Sequence, residues 1–167
     1  KQAVVAVGKT QKPSYVRTGR PKVAGIYTTD YRFEIGKADM LRPGTDVTLI
    51  ACGVLVGVAL KAAELLANES VSARVLNMAT IKPIDREAVI AAARETGAIV
   101  TAEEHQTHGG LGTAVARVLV ETTPAPIEFV GVDRYGTSGK WDQLLDYFEL
   151  TPARLAQAAR DAIARKR

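Results

Sequence analysis

A length of 167 residues allows one ordinary domain with its own core, and 47% apolar and 24% charged residues are typical of a globular protein. No apolar run reaches the ~18 residues of a membrane span, so no membrane partner is expected. The single Cys52 excludes an intrachain disulfide and favours a reducing, cytoplasmic location. We expect it to be a small buried residue.

The net charge of +4 is unevenly distributed along the chain. Residues 1–24 contain six basic residues and no acid, whereas residues 25–159 contain twelve basic and seventeen acidic residues. Because the main body is acidic and the basic segment is short, the pattern favours the phosphate of a small molecule over nucleic acid as a partner. A solvated basic strip is the alternative interpretation.

The first 46 residues predict parts of two structural units. Residues 1–24 predict the end of a helix, a turn at Lys12 and Pro13, and a strand "SYVR" that needs a neighbouring sheet. We therefore interpret them as the tail of a preceding domain. Residues 25–46 are predicted to be a linker that becomes a strand. The turn signal at Pro43 and Gly44 is expected to fold residues 38–41 back antiparallel to the next strand.

From residue 47 onwards, apolar strands alternate with amphipathic helices. The predicted strands are "VTLIAC" (47–52), "ARVLNM" (73–78), "AIVTA" (98–102) and "IEFVGV" (127–132). This alternation with short connections predicts an α/β fold over residues 47–167, a Rossmann-like open sheet with helices on both faces. The sheet is expected to be mainly parallel, with residues 38–41 as one antiparallel edge strand.

The helices carry readable start signals and apolar faces. Asp85 and Thr151 are expected to be N-caps, and Ser138 is a candidate cap for the helix that carries Trp141. The helix before "ARVLNM" is predicted to bury Leu55, Val58, Ala59, Ala62, Leu65 and Leu66.

The stretch "AEEHQTHGGLGTA" (102–114) collects catalytic residue types at the carboxyl end of a predicted strand, where parallel sheets bind ligands. A nucleotide loop is disfavoured, because residues 109–112 lack the spaced glycine fingerprint and the preceding Glu103 and Glu104 would repel phosphate. A zinc site is disfavoured because His105 and His108, placed on a loop, lack a readable third ligand.

General acid–base catalysis by these side chains remains possible. The interpretation that we favour is a structural joint, in which Glu103 or Glu104 binds backbone amides at the start of the next helix, where the helix dipole favours negative charge. Gly110 would permit the tight turn there, and His105 or His108 would make polar contacts at a packed surface.

Two further segments are candidates for contacts. In "DRYGTSGKW" (133–141), Asp133 can pair with Arg134, and Tyr135 can dock on a neighbour. In "YVRTGRP" (15–21), Arg17 and Arg20 follow a predicted strand in the acid-free segment, and arginine binds phosphate in a bidentate way. A solvated basic tail remains the alternative for these arginines.

Four segments together resemble one family over essentially the whole chain. They are "FEIGKADMLRPGTDVTLIACG", "VLNMATIKPID", "AEEHQTHGGLGTAVA" and "GVDRYGTSG". In this order they are similar to the C-terminal part of transketolases, above all the half-length, split-gene type in which this region is a separate subunit. Deoxyxylulose-phosphate synthase and the beta subunits of 2-oxoacid dehydrogenases are related alternatives.

The resemblance implies a function for the whole enzyme. Transketolases use thiamine diphosphate and magnesium to transfer a two-carbon ketol unit between sugar phosphates. The resemblance places the catalytic, cofactor and metal residues upstream of Lys1, so no catalytic residue is expected in this chain. It makes residues 1–24 the tail of a pyrimidine-binding domain, and it implies that Arg17, and more weakly Arg20, contacts substrate phosphate.

The resemblance also implies how the chain assembles. The expected partner is the N-terminal transketolase region or subunit, in a homodimer or heterotetramer. Residues 103–112 and 133–139, with Glu103, Glu104, His105, His108, Gly110, Asp133 and Tyr135, would serve as structural or interface loops. A stand-alone protein-interaction domain and a free-standing domain that binds a small phosphate ligand are the competing hypotheses.

Overall fold

A five-stranded mixed sheet organises the computed structural model, which describes residues 1–19 and 22–166. Its strands are β1 (Asp39–Arg42), β2 (Val47–Ala51), β3 (Ala73–Asn77), β4 (Ile99–Gln106) and β5 (Ile127–Val132). Their order across the sheet is β1-β3-β2-β4-β5, and every neighbouring pair is parallel except β1 with β3. The predicted fold class, a mainly parallel sheet with one antiparallel edge strand, is confirmed.

Helices cover both faces of this sheet. They are α2 (Leu55–Asn68), α3 (Arg86–Thr96), α4 (Leu111–Glu121), α5 (Trp141–Tyr147) and α6 (Pro152–Ala164), whereas the short α1 (Gln2–Gly8) has no buried residue. Helices α2 and α6 pack on one face, and α3 and α4 pack on the other. Along β2, Leu49 and Ala51 face the first layer and Ile50 the second, as the alternation of a strand requires. No helix among the described residues is long and apolar enough to cross a membrane.

The antiparallel edge strand pairs with a different neighbour than the sequence predicted. β1 lies beside β3, with Asp39 opposite Asn77, and not beside β2. Both edges of β2 are already occupied by parallel partners, which leaves it no free edge for a hairpin. The turn before β2 packs directly on the start of β3, where a Cβ at Gly44 would overlap the backbone of Ala73.

A pair of tyrosines fixes the linker to this sheet edge, which the sequence did not predict. The rings of Tyr27 and Tyr31 stack with their centroids 3.7 Å apart, and both hydroxyl groups donate to Asp39 Oδ2 at 2.7 Å. Asn77 of β3 in turn donates to the Tyr27 hydroxyl at 2.6 Å. Burial raises the pKa of both phenols, so they remain donors at neutral pH.

The amino-terminal segment makes few contacts with the rest of the domain. α1 has no buried residue, and Val4 and Val5 are each about half exposed. The predicted strand at residues 14–17 is not formed, because no described strand lies beside it to supply a hydrogen-bonding partner. Gln2 connects this segment to the linker, since its side-chain oxygen accepts from the Phe33 amide at 2.8 Å.

The predicted helix starts are confirmed at two positions and wrong at a third. Asp85 accepts from the Ala88 amide at 3.1 Å, and Thr151 accepts from the Arg154 amide at 3.3 Å. Ser138 is not a cap, because α5 begins two residues later than that assignment requires, with Lys140 at the N-cap and no side-chain cap bond.

The buried face of α2 is also rotated from the prediction. Leu65 is 41% exposed and Val58 is only partly buried, whereas Val56 and Ala63 are buried instead. The cause lies in packing: α2 contacts the sheet on one side and its neighbour α6, in the same layer, on another, so its buried residues do not follow a single apolar stripe.

Asp85 holds two elements at once, which gives a test of this part of the fold. Besides capping α3, its other carboxylate oxygen accepts from the Ala38 amide just before β1 at 2.9 Å, and the residue is 7% exposed. We expect Asp85→Ala to lower the free energy of unfolding by about 2–3 kcal/mol, because two partly buried amides lose their acceptor.

The matched control is Thr151→Ala, which removes a cap with a single acceptor bond in α6 and should cost about 1 kcal/mol. Urea denaturation of both variants measures the difference. Equal losses for the two variants would show that the Asp85–Ala38 bond contributes nothing.

Candidate functional site at the carboxyl edge of the sheet

The strand order reverses between β2 and β4, and the candidate residues lie at the carboxyl ends of these two strands. From β2 the chain passes to β3 on one side and then to β4 on the other. Open α/β sheets bind ligands at such a switch point. Cys52 follows β2, and residues 103–106 form the end of β4. The structure thus places these candidate residues at the carboxyl edge of the sheet, where the sequence analysis expected them.

β4 extends further than predicted, to Gln106, so three candidate site residues belong to a strand. Glu103, Glu104 and His105 lie on the strand, not on a loop. The register with β5 passes from Ala102 opposite Val130 to Gln106 opposite Val132, so three residues of β4 face one residue of β5. This is a β-bulge, a feature that re-aims side chains next to functional sites.

The residue opposite the bulge is a glycine because the two backbones come close. A Cβ at Gly131 would lie 2.9 Å from the His105 carbonyl oxygen and 3.1 Å from the Thr107 methyl group. A larger residue there would push β5 away from the bulge, so the small side chain is a condition for this geometry.

Glu103 fastens the start of α4 to the sheet. Its carboxylate is 2% exposed and accepts from the Leu111 amide at 2.7 Å and from the Gly112 amide at 2.8 Å. The favoured interpretation, that one of the two glutamates binds the amides of this helix, is confirmed for Glu103. The negative charge also lies at the positive end of the helix dipole.

The same contact explains Gly110 and argues against the nucleotide interpretation. A Cβ at Gly110 would overlap the Glu103 carboxylate, so this carboxylate fills the space in front of the helix amides. Those amides are the groups that would bind a phosphate in a nucleotide loop. Gly109 has a φ of 81°, which requires the conformational freedom of glycine at the turn.

Glu104 connects two segments that are far apart in the sequence. Its main-chain oxygen accepts from Arg17 Nη1 at 2.8 Å, and its side-chain Oε1 accepts from the Trp141 indole nitrogen at 3.3 Å. Arg17 thus lies at the switch point of the sheet, at the same carboxyl edge as the candidate residues 103–106. The sequence analysis selected Arg17 but gave no signal for its contact with Glu104, since the two are 87 positions apart.

Cys52 lies near Glu103, Glu104 and Arg17, and its thiol is not activated as a nucleophile. Burial raises the pKa of its thiol to about 12, the charge of Glu103 adds to the shift, and Arg17 opposes it. At neutral pH the residue is therefore a thiol and not a nucleophilic thiolate. We expected Cys52 to be buried, but it is only partly buried, because it follows the last residue of β2 at the edge of the sheet.

The two histidines do not converge on a shared ligand. His105 Nδ1 lies 2.9 Å from the Gln106 carbonyl oxygen and 3.8 Å from Glu103 Oε2. His108 Nδ1 is 3.5 Å from the Thr107 hydroxyl group. Within residues 1–19 and 22–166, no three His, Cys, Asp or Glu side chains come together as a metal site would require.

The loop after β5 borders a shallow hollow of about 250 Å³ on the same edge. Its lining residues are Gln106, His108, Val132, Asp133, Arg134 and Tyr135. Asp133 and Arg134 pair at 2.8 Å, and this hydrogen bond lowers the pKa of the Asp133 carboxyl group. Tyr135 is 98% exposed, so its predicted contact with a neighbour is not made within this chain. Arg20, the second predicted phosphate ligand, lies outside the described residues.

Comparison with known proteins places this geometry in a family. Residues 36–155 match the family described as "Transketolase, C-terminal domain". The 6-deoxy-6-sulfo-D-fructose transketolase subunit SqwH of Clostridium sp. (strain MSTE9) is 44% identical over 155 residues, which are 92% of this chain and 48% of that protein. A subunit of apulose-4-phosphate transketolase from Phocaeicola vulgatus is 46% identical over 122 residues, 72% of this chain and 39% of that protein.

A solved structure agrees with these relatives. It is a split gene transketolase in an inactive beta4 tetramer, and it superposes with a TM-score of 0.97 at 42% identity over 99% of this chain and 55% of that chain. The chain thus spans about half the length of this protein and of the Clostridium relative, and 39% of the Phocaeicola relative.

The fit between Glu103 and Gly110 can be tested by one added methyl group. We expect Gly110→Ala to lower the free energy of unfolding by about 2–4 kcal/mol, because the new Cβ displaces the carboxylate and leaves buried amides without an acceptor. Gly136→Ala is the control, since no atom lies within 4 Å of a Cβ there.

Chemical denaturation of Gly110→Ala in the wild-type and the Glu103→Ala backgrounds separates this cause from general strain. The cost should fall by more than half once the carboxylate is gone. An unchanged cost would show that the two residues do not act through one contact.

Proposed function

Because the chain belongs to the family of transketolase C-terminal domains, we propose that it is the C-terminal part of a thiamine diphosphate-dependent transketolase. The complete enzyme would transfer a two-carbon ketol unit between sugar phosphates. In this proposal, the region itself contributes assembly and one contact with the substrate phosphate. The observation that carries the second role is the position of the Arg17 guanidinium at the switch point of the sheet.

Arg17 suits an anion for three physical reasons. It is solvent-exposed, it belongs to a segment of 24 residues that contains no acid, and among the described contacts one of its five N–H groups is engaged, with Glu104 O. The remaining donors form a planar fork that matches two oxygens of a phosphate. A sulfonate presents a similar set of oxygens, and one relative is named for a sulfosugar, so the terminal anion is the chemistry that Arg17 would recognise.

The described residues at the switch point do not fit the cofactor. Thiamine diphosphate is bound through a metal ion that needs oxygen ligands. At the switch point, however, Glu103 is committed to helix amides and Glu104 to Trp141. We therefore assign cofactor and Mg²⁺ binding to the N-terminal region or subunit of the enzyme, and we expect the isolated chain to be inactive.

The exposed apolar residues support a role in assembly. Val4, Val5 and Tyr15 of the amino-terminal segment are 54%, 51% and 88% exposed. We propose that residues 1–24 are the tail of a pyrimidine-binding domain and pack against the rest of that domain. Residues 25–46 would be the linker and edge strand that connect this tail to the domain at 47–167. The exposed Tyr135 loop would face a neighbouring subunit in a homodimer or heterotetramer, in a cytoplasmic enzyme.

The phosphate role predicts a selective defect. In enzyme reconstituted from this chain and its N-terminal partner, Arg17→Ala should raise the KM for phosphorylated acceptors by about 10-fold to 100-fold, the effect of losing charge-assisted hydrogen bonds. The KM for an unphosphorylated acceptor should change less than twofold. Steady-state assays of ketol transfer with matched acceptors measure both values, and a sulfonated acceptor tests the second anion.

Lys12→Ala is the control, since it removes an exposed charge from the same basic segment without touching the sheet edge. An equal rise in KM for phosphorylated and unphosphorylated acceptors in Arg17→Ala would rule out the phosphate contact.

A further inference from the structure

Trp141 and Glu104 form a hydrogen bond beside Arg17 that the proposed phosphate contact alone does not explain. We propose that Trp141 is a positioning residue: its indole N–H holds the Glu104 carboxylate aside, so that the Arg17 guanidinium stays available to the substrate's anion. This inference rests on the proposed phosphate contact of Arg17. It assigns a role in substrate affinity to an aromatic residue on α5 and to an acid on β4.

The bulge brings Glu104 and Arg17 together. The ladder between β2 and β4 ends with Ala51 opposite Ala102, and pairing of β4 with β5 resumes only at Gln106. The Glu104 carbonyl group is therefore outside both ladders and accepts from Arg17 Nη1 at 2.8 Å. A main-chain acceptor carries no net charge, so it orients the guanidinium without neutralising it.

The side chain of the same residue is a potential competitor for Arg17. A glutamate whose own carbonyl oxygen touches a guanidinium needs only a change of rotamer to bring its carboxylate into contact. Yet among the ion pairs between described residues, none includes Arg17 or Glu104. The carboxylate instead accepts from the Trp141 indole nitrogen at 3.3 Å.

Trp141 is suited to this role by its chemistry and its position. The indole N–H is a donor without an acceptor function, and the ring carries no charge that would itself attract the substrate or repel Arg17. Trp141 is the first residue of α5, a short helix without a fully buried residue, and its ring is partly buried. Phe148 and Leu145, at the other end of that segment, pack on the core and anchor it.

The other charged groups at this edge do not replace Glu104 as competitors. The Glu103 carboxylate is held by the amides of Leu111 and Gly112. Asp133 is paired with Arg134, and Cys52 is a neutral thiol. Glu104 thus differs from these groups in two ways. It lies next to Arg17, and its carboxylate is held by one hydrogen bond from an uncharged donor.

The test is a pair of substitutions in the reconstituted enzyme with phosphorylated and unphosphorylated acceptors. Trp141→Phe keeps an aromatic ring but removes the N–H, which frees the Glu104 carboxylate to pair with Arg17. We expect the KM for the phosphorylated acceptor to rise about twofold to fivefold at low ionic strength, the strength of an exposed ion pair. The kcat and the KM for the unphosphorylated acceptor should not change, and added salt should reduce the effect.

The decisive variant is the double substitution Trp141→Phe with Glu104→Gln. Glutamine cannot compete as an anion, so the KM for the phosphorylated acceptor should return to within about 1.5-fold of the wild-type value. A merely structural role of Trp141 would give no such rescue. Melting temperatures of all variants show whether the fold is retained.

Three results would overturn the inference: an unchanged KM in Trp141→Phe, an equal rise for both acceptors, or no rescue by Glu104→Gln. Arg17→Ala distinguishes this failure from failure of the proposed phosphate contact. If Arg17→Ala itself shows no selective defect, the phosphate contact is wrong. A crystal structure of Trp141→Phe then shows whether Trp141 keeps the Glu104 carboxylate away from Arg17. A carboxylate that stays more than 4 Å from the Arg17 guanidinium without the indole N–H would contradict that role of Trp141 as well.

Discussion

The bulge between β4 and β5 is the constraint on which the candidate site depends. Three residues of β4 stand opposite Gly131 of β5, and this mismatch turns consecutive residues in different directions. Glu103 points into the amides of α4, whereas the Glu104 carbonyl group turns towards Arg17. The two glycines at 110 and 131 are required because the carboxylate and the displaced backbone occupy the space of their absent side chains.

This arrangement gives structural roles to a stretch rich in catalytic residue types. Glu103 is nearly inaccessible and fully engaged, the histidines are apart, and Cys52 is held as a neutral thiol. The exposed guanidinium of Arg17, by contrast, has donors left for a ligand. A polar residue at the edge of a parallel sheet can therefore serve to orient a charged group from another segment, as Glu104 does for the Arg17 guanidinium.

The sequence predicted those features that depend on local patterns. Apolar runs located β2 and β3, and the capping chemistry of Asp85 and Thr151 located two helix starts. The errors involve long-range pairing: β1 joined β3 and not β2, and β4 continued to Gln106 because β5 offered it a partner. The contacts of Glu104 with Arg17 and Trp141 span 87 and 37 positions, and no spacing rule indicates them. The family resemblance supplied the proposed function, which fold and composition alone do not determine.

A structure of the assembled enzyme, this chain with its N-terminal partner and a bound sugar phosphate, is the most direct test of the site. We expect a phosphate oxygen about 3 Å from an Arg17 guanidinium nitrogen, with Glu104 still accepting from Arg17 through its carbonyl group and from Trp141 through its carboxylate. A phosphate bound by other residues, with Arg17 turned away from it, would contradict the assignment of this edge of the sheet to substrate binding.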